Sequence, residues 1–354
     1  MRTFHCERCG AVVPFTAQQC KTCDASLAYI TSEHTIRVLG ATSDPGVYRL
    51  NGRGERFWRC LNAAWGCNWL IATTSDTPWC RSCALTRGRP DDARPDAMDA
   101  WMAAEAAKRR LLHQLDELAL PIEVRSPAAP HGLVFDLVHV PGENAITGHL
   151  DGVITLDLTE TDDRHREELR CWLGEPFRTV IGHLRHEIGH YYWGRLVGQT
   201  DQLSAFRRLF GDERADYPTA IDDHYATADR SWDHGRFATP YAASHPLEDW
   251  AETFAQYLHI SDAIDTAIAH ELVAPARAQA IISQPPSHRD LVTMLDAWRP
   301  INAAVNAIAE ALGMPMVYPF EPTGTVIAKL EFVARQISAH VRRDRFYGAF
   351  GPSH

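Results

Sequence analysis

Two histidines and one glutamate within five residues could activate water for hydrolysis. They lie in His186-Glu-Ile-Gly-His190, and residues four apart share one face of a helix, so both imidazoles could bind one zinc ion. Glu187 would then lie beside the open coordination position, where it can take a proton from a zinc-bound water. A chain with 18 histidines can contain this motif by chance, so the surrounding helical pattern is the test.

The residues around the motif have the pattern of a helix with one polar and one apolar face. At about 100° per residue, His183 falls with the two motif histidines and Glu187. We expect His183 to pack or to support the ligands from behind rather than to bind the metal itself. The opposite face is apolar and includes Ile181, Leu184 and Ile188. This pattern predicts a helix with one side in the core and the other in a cleft.

A catalytic zinc needs a third protein ligand, and the best candidate follows Pro246. A proline followed by acidic residues is typical of the first turn of a helix. Glu248 and Glu252 share one face of that helix, so either could reach the metal by spacing alone. We prefer Glu248 because it lies in the first turn, near the chain reversal. Glu252 would then bond a ligand imidazole from behind.

The same stretch offers two donors for the oxyanion that forms when an amide is attacked. Tyr241 lies seven residues before Glu248, and its hydroxyl could donate to that oxyanion. His245 is an alternative donor, and spacing alone does not separate the two.

Two further residues are expected to have structural roles. We expect His149 to lie in a turn before a strand and Cys171 to be a buried thiol.

Eight of the nine cysteines lie before residue 84 and predict two structural zinc sites. The first set has two CxxC pairs, and each pair can direct two sulfurs at one ion. The second set is less regular, but it again has four thiols. Buried free cysteines are the alternative, and pairing across the two sets also remains open. The two sets are Cys6, Cys9, Cys20 and Cys23, and Cys60, Cys67, Cys80 and Cys83.

The charge distribution argues against nucleic-acid binding. The formal charge of the chain is −10, yet residues 1–89 hold 11 basic and 6 acidic residues, which gives +5. Eight thiolates with two Zn²⁺ would bring this region to about +1, whereas nucleic-acid binding favours a strongly basic face. Because the module is so small, we expect the tryptophans of this region to form its core rather than stacking platforms. They are Trp58, Trp65, Trp69 and Trp79.

The pattern along the chain predicts an α+β protein with two modules. Residues 1–89 form a double zinc-ribbon module, 90–100 a Pro-broken linker, and 101–354 a second domain with a helical tail from about 261. A helix is expected from 99 to about 120, strands at 133–140 and 152–158, and mostly helix after 165. No apolar run is long enough for a membrane span and no secretory signal is evident, so a cytoplasmic protein is expected.

These residues together resemble a bacterial family of zinc-binding metallopeptidases with an N-terminal zinc ribbon, and the match covers nearly the whole chain. It is carried by the cysteine pairs and by Cys67–Leu70, Ala107–Leu111, Thr147–His149, Gly182–Trp193 and His245–Thr253. HExxH followed by Glu-x-x-Ala-Glu is also similar to the gluzincin group, including lethal-factor-like peptidases. That resemblance implies a zincin fold: a small twisted sheet above the HExxH helix and a helical lower part.

The gluzincin resemblance also bears on individual residues. It implies Glu248 as the metal ligand and favours Tyr241 over His245, because a tyrosine seven residues before the glutamate ligand assists catalysis in that group. Two segments depart from the pattern: Asp229–Gly235 is extra, and the tail beyond about residue 261 has no counterpart.

The hypothesis that follows is a zinc-dependent peptidase with one catalytic and two structural zinc ions. Glu187 acts as general base and then as general acid to the leaving amine. A peptide or protein substrate is expected to pair with an edge strand formed by residues 152–158, and the ribbon module to recruit or gate substrate or to bind a protein partner. The rivals are a metal-dependent amidase on a cell-wall or small-molecule amide, a ribbon-based binding protein with a silent zincin body, and a nucleic-acid adaptor.

Overall fold

The structure, a computed structural model, describes residues 3–50, 54–90, 95–138, 147–226 and 231–349. Parts of three predictions lie outside these ranges: the linker at 91–94, the end of the strand expected at 133–140, and the start of the Asp229–Gly235 segment. The described chain has an α+β fold, in which a cysteine-rich region of short strands precedes a mostly helical body.

Short antiparallel strands, which the sequence pattern did not reveal, build the N-terminal region. β1 (Phe4–His5) pairs with β2 (Val12–Val13), and five more strands form one antiparallel sheet in chain order. These are β3 (Leu27–Ile30), β4 (Thr35–Ala41), β5 (Val47–Leu50), β6 (Arg56–Arg59) and β7 (Leu70–Ala72), and they are followed by a short helix, α1 (Arg81–Ala84). Short strands beside clustered cysteines are typical of modules stabilised by bound metal.

The tryptophans of this region divide between core and surface. Trp69 is buried and packs on Tyr29, with ring centroids 5.0 Å apart, as a core residue should. Trp58 and Trp79 are 39% and 44% exposed, so the prediction that they belong to the core is wrong. Neither of these two residues belongs to the buried cluster that contains Trp69.

Helix α2 (Pro95–Glu117) connects the N-terminal region to the body. It begins before the expected start at residue 99, because Pro95 has a suitable φ and no N–H to leave unpaired in the first turn. The Nδ1 atom of His113 lies 2.7 Å from the Tyr29 hydroxyl. The amide of Gln114 donates to a backbone carbonyl of the helical body at 2.6 Å. One helix therefore contacts both parts of the protein.

A three-stranded sheet precedes the motif helix. β8 (Val134–Val138) and β10 (Val153–Asp157) run parallel, and β9 (Gly148–Leu150) pairs antiparallel with β10 on its other side. The Asp151–Gly152 turn, with φ angles of 52° and 81°, joins β9 to β10. Because β10 has a neighbour on both sides, the expectation that residues 152–158 form a free edge is wrong. Among the described residues, the outer side of β9 has no strand partner.

Helices make up most of the described chain after residue 162, as predicted. They are α3 (Asp163–Leu173), α4 (Val180–Trp193), α5 (Leu203–Leu209), α6 (Tyr217–Ala226), α7 (Pro246–Ala269), α8 (Pro275–Ile282), α9 (Leu291–Ala311) and α10 (Gly324–Ala349). Within the described part of the chain, none of the helices combines the length and the apolar character that crossing a bilayer requires.

Helix α3 lies on the surface. Its first turn is capped by Asp162, whose carboxylate accepts from the His165 amide, and it ends at Gly174 in the left-handed conformation. None of its residues is buried. Cys171, expected to be a buried thiol, is therefore exposed, and that prediction is wrong.

Helices α4 and α7 pack directly against each other because a glycine lies at their contact. A Cβ atom on Gly189 would lie 3.0 Å from the Cα atom of Ala251, so a larger residue would separate the helices. The indole of Trp250 donates to the Gly189 carbonyl at 2.8 Å. This close approach brings the HExxH motif next to the first turns of α7.

Candidate metal centre

Helix α4 carries the HExxH motif, with one side in the core. Thr179 caps its first turn by accepting from the Gly182 amide at 3.0 Å. Leu184 and Ile188 are fully buried, which matches the apolar face inferred from the sequence. On the other side, the Nε2 atoms of His186 and His190 lie 3.2 Å apart. The two imidazoles therefore converge on one point, as their spacing predicts.

Helix α7 places two carboxylates at this point. Its first turn begins at Pro246 and contains Glu248, which is completely buried. One carboxylate oxygen of Glu248, Oε2, lies 2.9 Å from His186 Nε2, and the other, Oε1, lies 3.4 Å from His190 Nε2. Glu252, one turn further on, lies 2.7 Å from the Nδ1 atom of His186.

The protonation of His186 makes this cluster suited to a cation. When Nδ1–H of His186 donates to Glu252, its Nε2 atom carries a lone pair. This Nε2 atom faces Glu248 Oε2, an oxygen that receives no hydrogen bond from the described residues. One atom each from His186, His190 and Glu248 lies within 4.8 Å of the others. Three acceptor atoms at this distance repel one another unless a cation lies between them, and two imidazoles with one carboxylate are a usual ligand set for zinc.

The same contacts appear in the pKa values of the ligands. Burial disfavours the charged forms, but the carboxylates of Glu248 and Glu252 outweigh it and raise the pKa of His186 well above its ordinary value. For Glu248, the two histidines outweigh burial and hold its pKa well below its ordinary value. The two carboxylates thus stabilise positive charge at His186, either as a second proton on its ring or as a metal ion beside Nε2.

Glu187 lines a cavity of about 540 Å³ that reaches the metal cluster. It is 7% exposed, and burial raises the pKa of its carboxyl group. His186 and Tyr241 line the same cavity. A carboxylate so placed can act as a base towards a group held in the cavity.

Two tyrosines flank the cluster, and one of them was missed by the sequence reasoning. The ring of Tyr241, in a short helical turn at Tyr241–Ala243, lies 5.8 Å from that of His186. Burial, followed by the charge of Glu248, raises the pKa of Tyr241, so its hydroxyl stays protonated. Tyr217 on α6 donates its hydroxyl to Glu248 Oε1 at 2.7 Å. No motif spacing connects Tyr217 to Glu248, 31 residues away, so only the fold reveals this contact.

A third histidine lies against the cluster. His149 is in strand β9 rather than in a turn, and its ring is stacked on that of His190, with centroids 6.2 Å apart. Its Nε2 atom accepts from the Gly152 amide at 3.1 Å. Burial, together with His190 and Arg195, lowers the pKa of His149 to about 4, so the ring is neutral. We expected His149 to have a structural role in a turn, whereas it lies in a strand beside the motif histidine His190.

Two other histidines singled out in the sequence lie further from the cluster. His245 caps α7: its Nδ1 atom accepts from the Leu247 amide at 3.1 Å, and its Nε2 atom lies 3.2 Å from the Ala215 carbonyl. Both ring nitrogens of His245 are thus engaged. His183 lines the cavity, and its Nδ1 atom lies 3.8 Å from Glu160.

The cysteines gather into two separate clusters. In the first, Cys6, Cys9, Cys20 and Cys23 bring their sulfurs within 4.8 Å of one another, and in the second Cys60, Cys67, Cys80 and Cys83 do the same. The backbone N–H of Thr22 is the largest influence on Cys20 and lowers the pKa of its thiol to about 6. Four converging sulfurs, with a thiol that is readily ionised, suit a structural zinc ion.

The two segments that depart from the gluzincin pattern contact each other. The Thr325 amide at the start of α10 donates to the Gly235 carbonyl at 2.6 Å. Lys329 on α10 is buried; its ammonium donates to the Arg236 carbonyl at 2.5 Å and to Asp249, next to Glu248, at 2.6 Å. The C-terminal tail therefore holds both the loop before Tyr241 and the first turn of α7.

The fold and these clusters define a zinc-ribbon protein with a separate His/His/Glu metal centre. A family described as "Putative zinc-binding metallo-peptidase" matches residues 97–336, and a family described as "zinc-ribbon domain" matches residues 3–94. The first match spans more than half of the chain, so the chain belongs to that family of zinc-binding metallopeptidases. The resemblance to a family of zinc-binding metallopeptidases with an N-terminal zinc ribbon is confirmed.

The relatives named by sequence comparison come from mycobacteria. The chain is 40% identical over 359 residues to "Uncharacterized protein Rv2568c" of Mycobacterium tuberculosis (strain H37Rv), covering 100% of this chain and 98% of the relative. "Uncharacterized protein Mb2598c" of Mycobacterium bovis has the same identity and coverage. No solved structure matches the chain significantly.

Proposed function

We propose that the protein is a zinc-dependent peptidase of gluzincin type. One observation carries this proposal: the motif histidines and Glu248 converge on one point, and His186 lines a cavity of about 540 Å³ that Glu187 also lines. Three ligands leave one coordination position of a tetrahedral ion open, which is the difference between a catalytic and a structural zinc site. The amide bond to be cleaved would enter through this cavity.

Each residue of the centre has a distinct task in hydrolysis. His186, His190 and Glu248 would hold the ion, and Glu252 fixes His186 in the tautomer that binds metal. When bound, zinc makes water acidic enough to lose a proton near neutral pH and polarises the scissile carbonyl. Glu187 takes the proton from the attacking water and passes it to the leaving amine.

The hydroxyl of Tyr241 is our candidate for the donor to the oxyanion. Its ring lies beside His186, it lines the cavity, and its hydroxyl is protonated. His245, the alternative, already has contacts at both of its ring nitrogens. Loss of one such donor typically lowers kcat by about a hundredfold or more.

The peptide would lie along strand β9 rather than β10. Among the described residues, β9 pairs on one side only, and its His149 is stacked on His190. An extended peptide added to this edge would run past the metal centre, with main-chain hydrogen bonds fixing its direction. The two four-cysteine clusters would each hold a structural zinc ion.

Replacing the base tests the proposal most simply. We expect Glu187→Gln to retain zinc at wild-type content but to cleave a mixed quenched-fluorescent peptide library at least about a hundredfold more slowly, because the amide cannot accept the proton. Glu310→Gln makes the same chemical change at an exposed position on α9 that does not line the cavity, and should match wild type. Undiminished cleavage by Glu187→Gln would exclude this mechanism.

A further inference from the structure

The cavity beside the metal centre is strongly acidic. Its charged lining residues are five carboxylates and one guanidinium, which leaves a formal charge of −4: Asp157, Glu160, Glu175, Glu187 and Glu252 against Arg178. Adding Glu248 and a zinc ion changes this to −3. A concave site of one sign concentrates ligands of the opposite charge. The sign of the cavity therefore favours a cationic substrate.

One carboxylate in the cavity has room for a second cation. Arg178 bonds Glu160 through Nε at 3.1 Å and both oxygens of Glu175 at 2.9 Å, so two carboxylates share one guanidinium. The side chain of Glu160 is 5% exposed, whereas that of Glu175 is 27% exposed. Burial is the largest influence on Glu175 and raises its pKa. A further cation beside Glu175 would offset the cost of holding its charge away from water.

The walls next to this carboxylate also suit a cation. The rings of Phe177, Tyr318 and Phe320 form a cluster with centroids 5.3 to 6.3 Å apart, and all three line the cavity. Faces of aromatic rings attract ammonium and guanidinium groups. An aromatic wall alone would fit an apolar side chain as well as a cationic one. The nearby carboxylates favour the cationic side chain.

Two buried polar atoms on the cavity wall have no hydrogen-bond partner among the described residues. They are the hydroxyl of Tyr318, a residue that is 7% exposed, and the amide nitrogen of Gln256, which is 4% exposed. Buried polar groups are rarely left without a partner, so both atoms are available to bond polar groups of a ligand in the cavity. The hydroxyl oxygen can accept from a cationic side chain, and the amide can donate to a backbone carbonyl.

We infer that the cavity selects peptides with an arginine or lysine side chain next to the scissile bond, and that Glu175 is the residue that determines this specificity. The inference rests on the proposed peptidase function and names its substrate class. The cationic head would lie between Glu175 and the aromatic rings, with its alkyl stem along Phe177.

Arginine and citrulline provide the sharpest comparison, because they differ in charge but hardly in shape. We expect the wild-type protein to cleave a quenched peptide with arginine next to the scissile bond with a kcat/KM roughly tenfold or more above that of its citrulline twin. In Glu175→Gln the kcat/KM values for the two peptides should differ by about twofold or less. In Glu175→Asp part of the preference for arginine should remain. Glu168→Gln, which removes the same charge from an exposed position on α3, should keep the wild-type ratio.

Binding separates a failure of this inference from a failure of the proposed function. Zinc-loaded Glu187→Gln protein is mixed with the fluorescent arginine or citrulline peptide, and anisotropy gives the two dissociation constants. Tighter binding of the arginine peptide, lost when Glu175→Gln is added, supports the inference even if no peptide is cleaved. Equal binding and equal cleavage of the two peptides would overturn it and leave the peptidase proposal intact.

Discussion

The protein has two kinds of metal cluster, and they are built in opposite ways. Each ribbon cluster takes four sulfurs from turns close in sequence, and in the second cluster all four cysteines are buried. The His/His/Glu cluster takes its atoms from two long helices whose ligands are 58 residues or more apart in the chain, and it opens into a cavity. Ligand atoms therefore converge in both regions, but the cysteine clusters form closed sites and the His/His/Glu cluster forms an open one.

This difference determines what each site depends on. The ribbon strands are short, so we expect bound metal ions to contribute much of the stability of the N-terminal region. The His/His/Glu cluster is held by packing: Gly189 lets α4 and α7 approach, and Trp250 bonds across that contact. Removal of metal should therefore unfold the ribbon, whereas the His/His/Glu site should lose its ion and keep its shape.

Breaking a ribbon cluster should have the largest effect. Cys67 is fully buried, and we expect Cys67→Ser to lose one zinc ion and the cooperative unfolding transition of the N-terminal region. Structural zinc contributes about 10 kcal/mol or more to the folding free energy of small modules. Zinc analysis and thermal melting by circular dichroism measure this. Cys171→Ser is the matched control, since Cys171 is exposed and belongs to neither cluster. A Cys67→Ser protein with wild-type melting and zinc content would contradict the comparison.

Removing a ligand from the open site should empty it without unfolding the protein. We expect Glu248→Ala to lose one zinc ion while the ribbon ions stay, because its carboxylate contacts both motif histidines. Glu252→Ala should keep the ion with an affinity about 10- to 100-fold lower, since it removes only the partner of His186 Nδ1. Zinc content and competition with a chelator distinguish the two. The reverse outcome, with Glu252→Ala empty and Glu248→Ala loaded, would reverse the ligand assignment.

The two tyrosines should separate binding from catalysis, with smaller effects. Tyr241→Phe should lower kcat by about a hundredfold and leave zinc affinity near wild type, because it removes a donor to the oxyanion. Tyr217→Phe should instead weaken zinc binding about tenfold, because its hydroxyl bonds Glu248 rather than the substrate. Steady-state kinetics and zinc competition on both variants check this. Equal effects of the two changes on both quantities would argue against these separate roles.

Much of the geometry of the candidate site could be predicted because the spacing of its residues is local. The helical period places His186 and His190 on one face, and the proline before Glu248 predicts the start of α7. Contacts between distant segments carry no such signal. The hydroxyl of Tyr217 and the ring of His149 reach the cluster only through the packing of α6 and β9.

The fold was predictable to a similar extent. Helical composition predicted the mostly helical body after residue 165. The central location of β10 depends on pairing with β8 and β9, which alternation within one strand does not reveal. The ribbon strands were missed because two to seven residues are too few for a clear period.

Stepwise removal of zinc tests the central claim most directly. Protein purified without chelator should contain three zinc ions per chain, and mild chelation should remove one ion first, since only the His/His/Glu site keeps an open position. We predict that all peptide hydrolysis disappears with that first ion, that circular dichroism stays unchanged, and that one equivalent of zinc restores activity. Hydrolysis that persists after the first ion has left, or loss of all three ions in one step, would contradict the account.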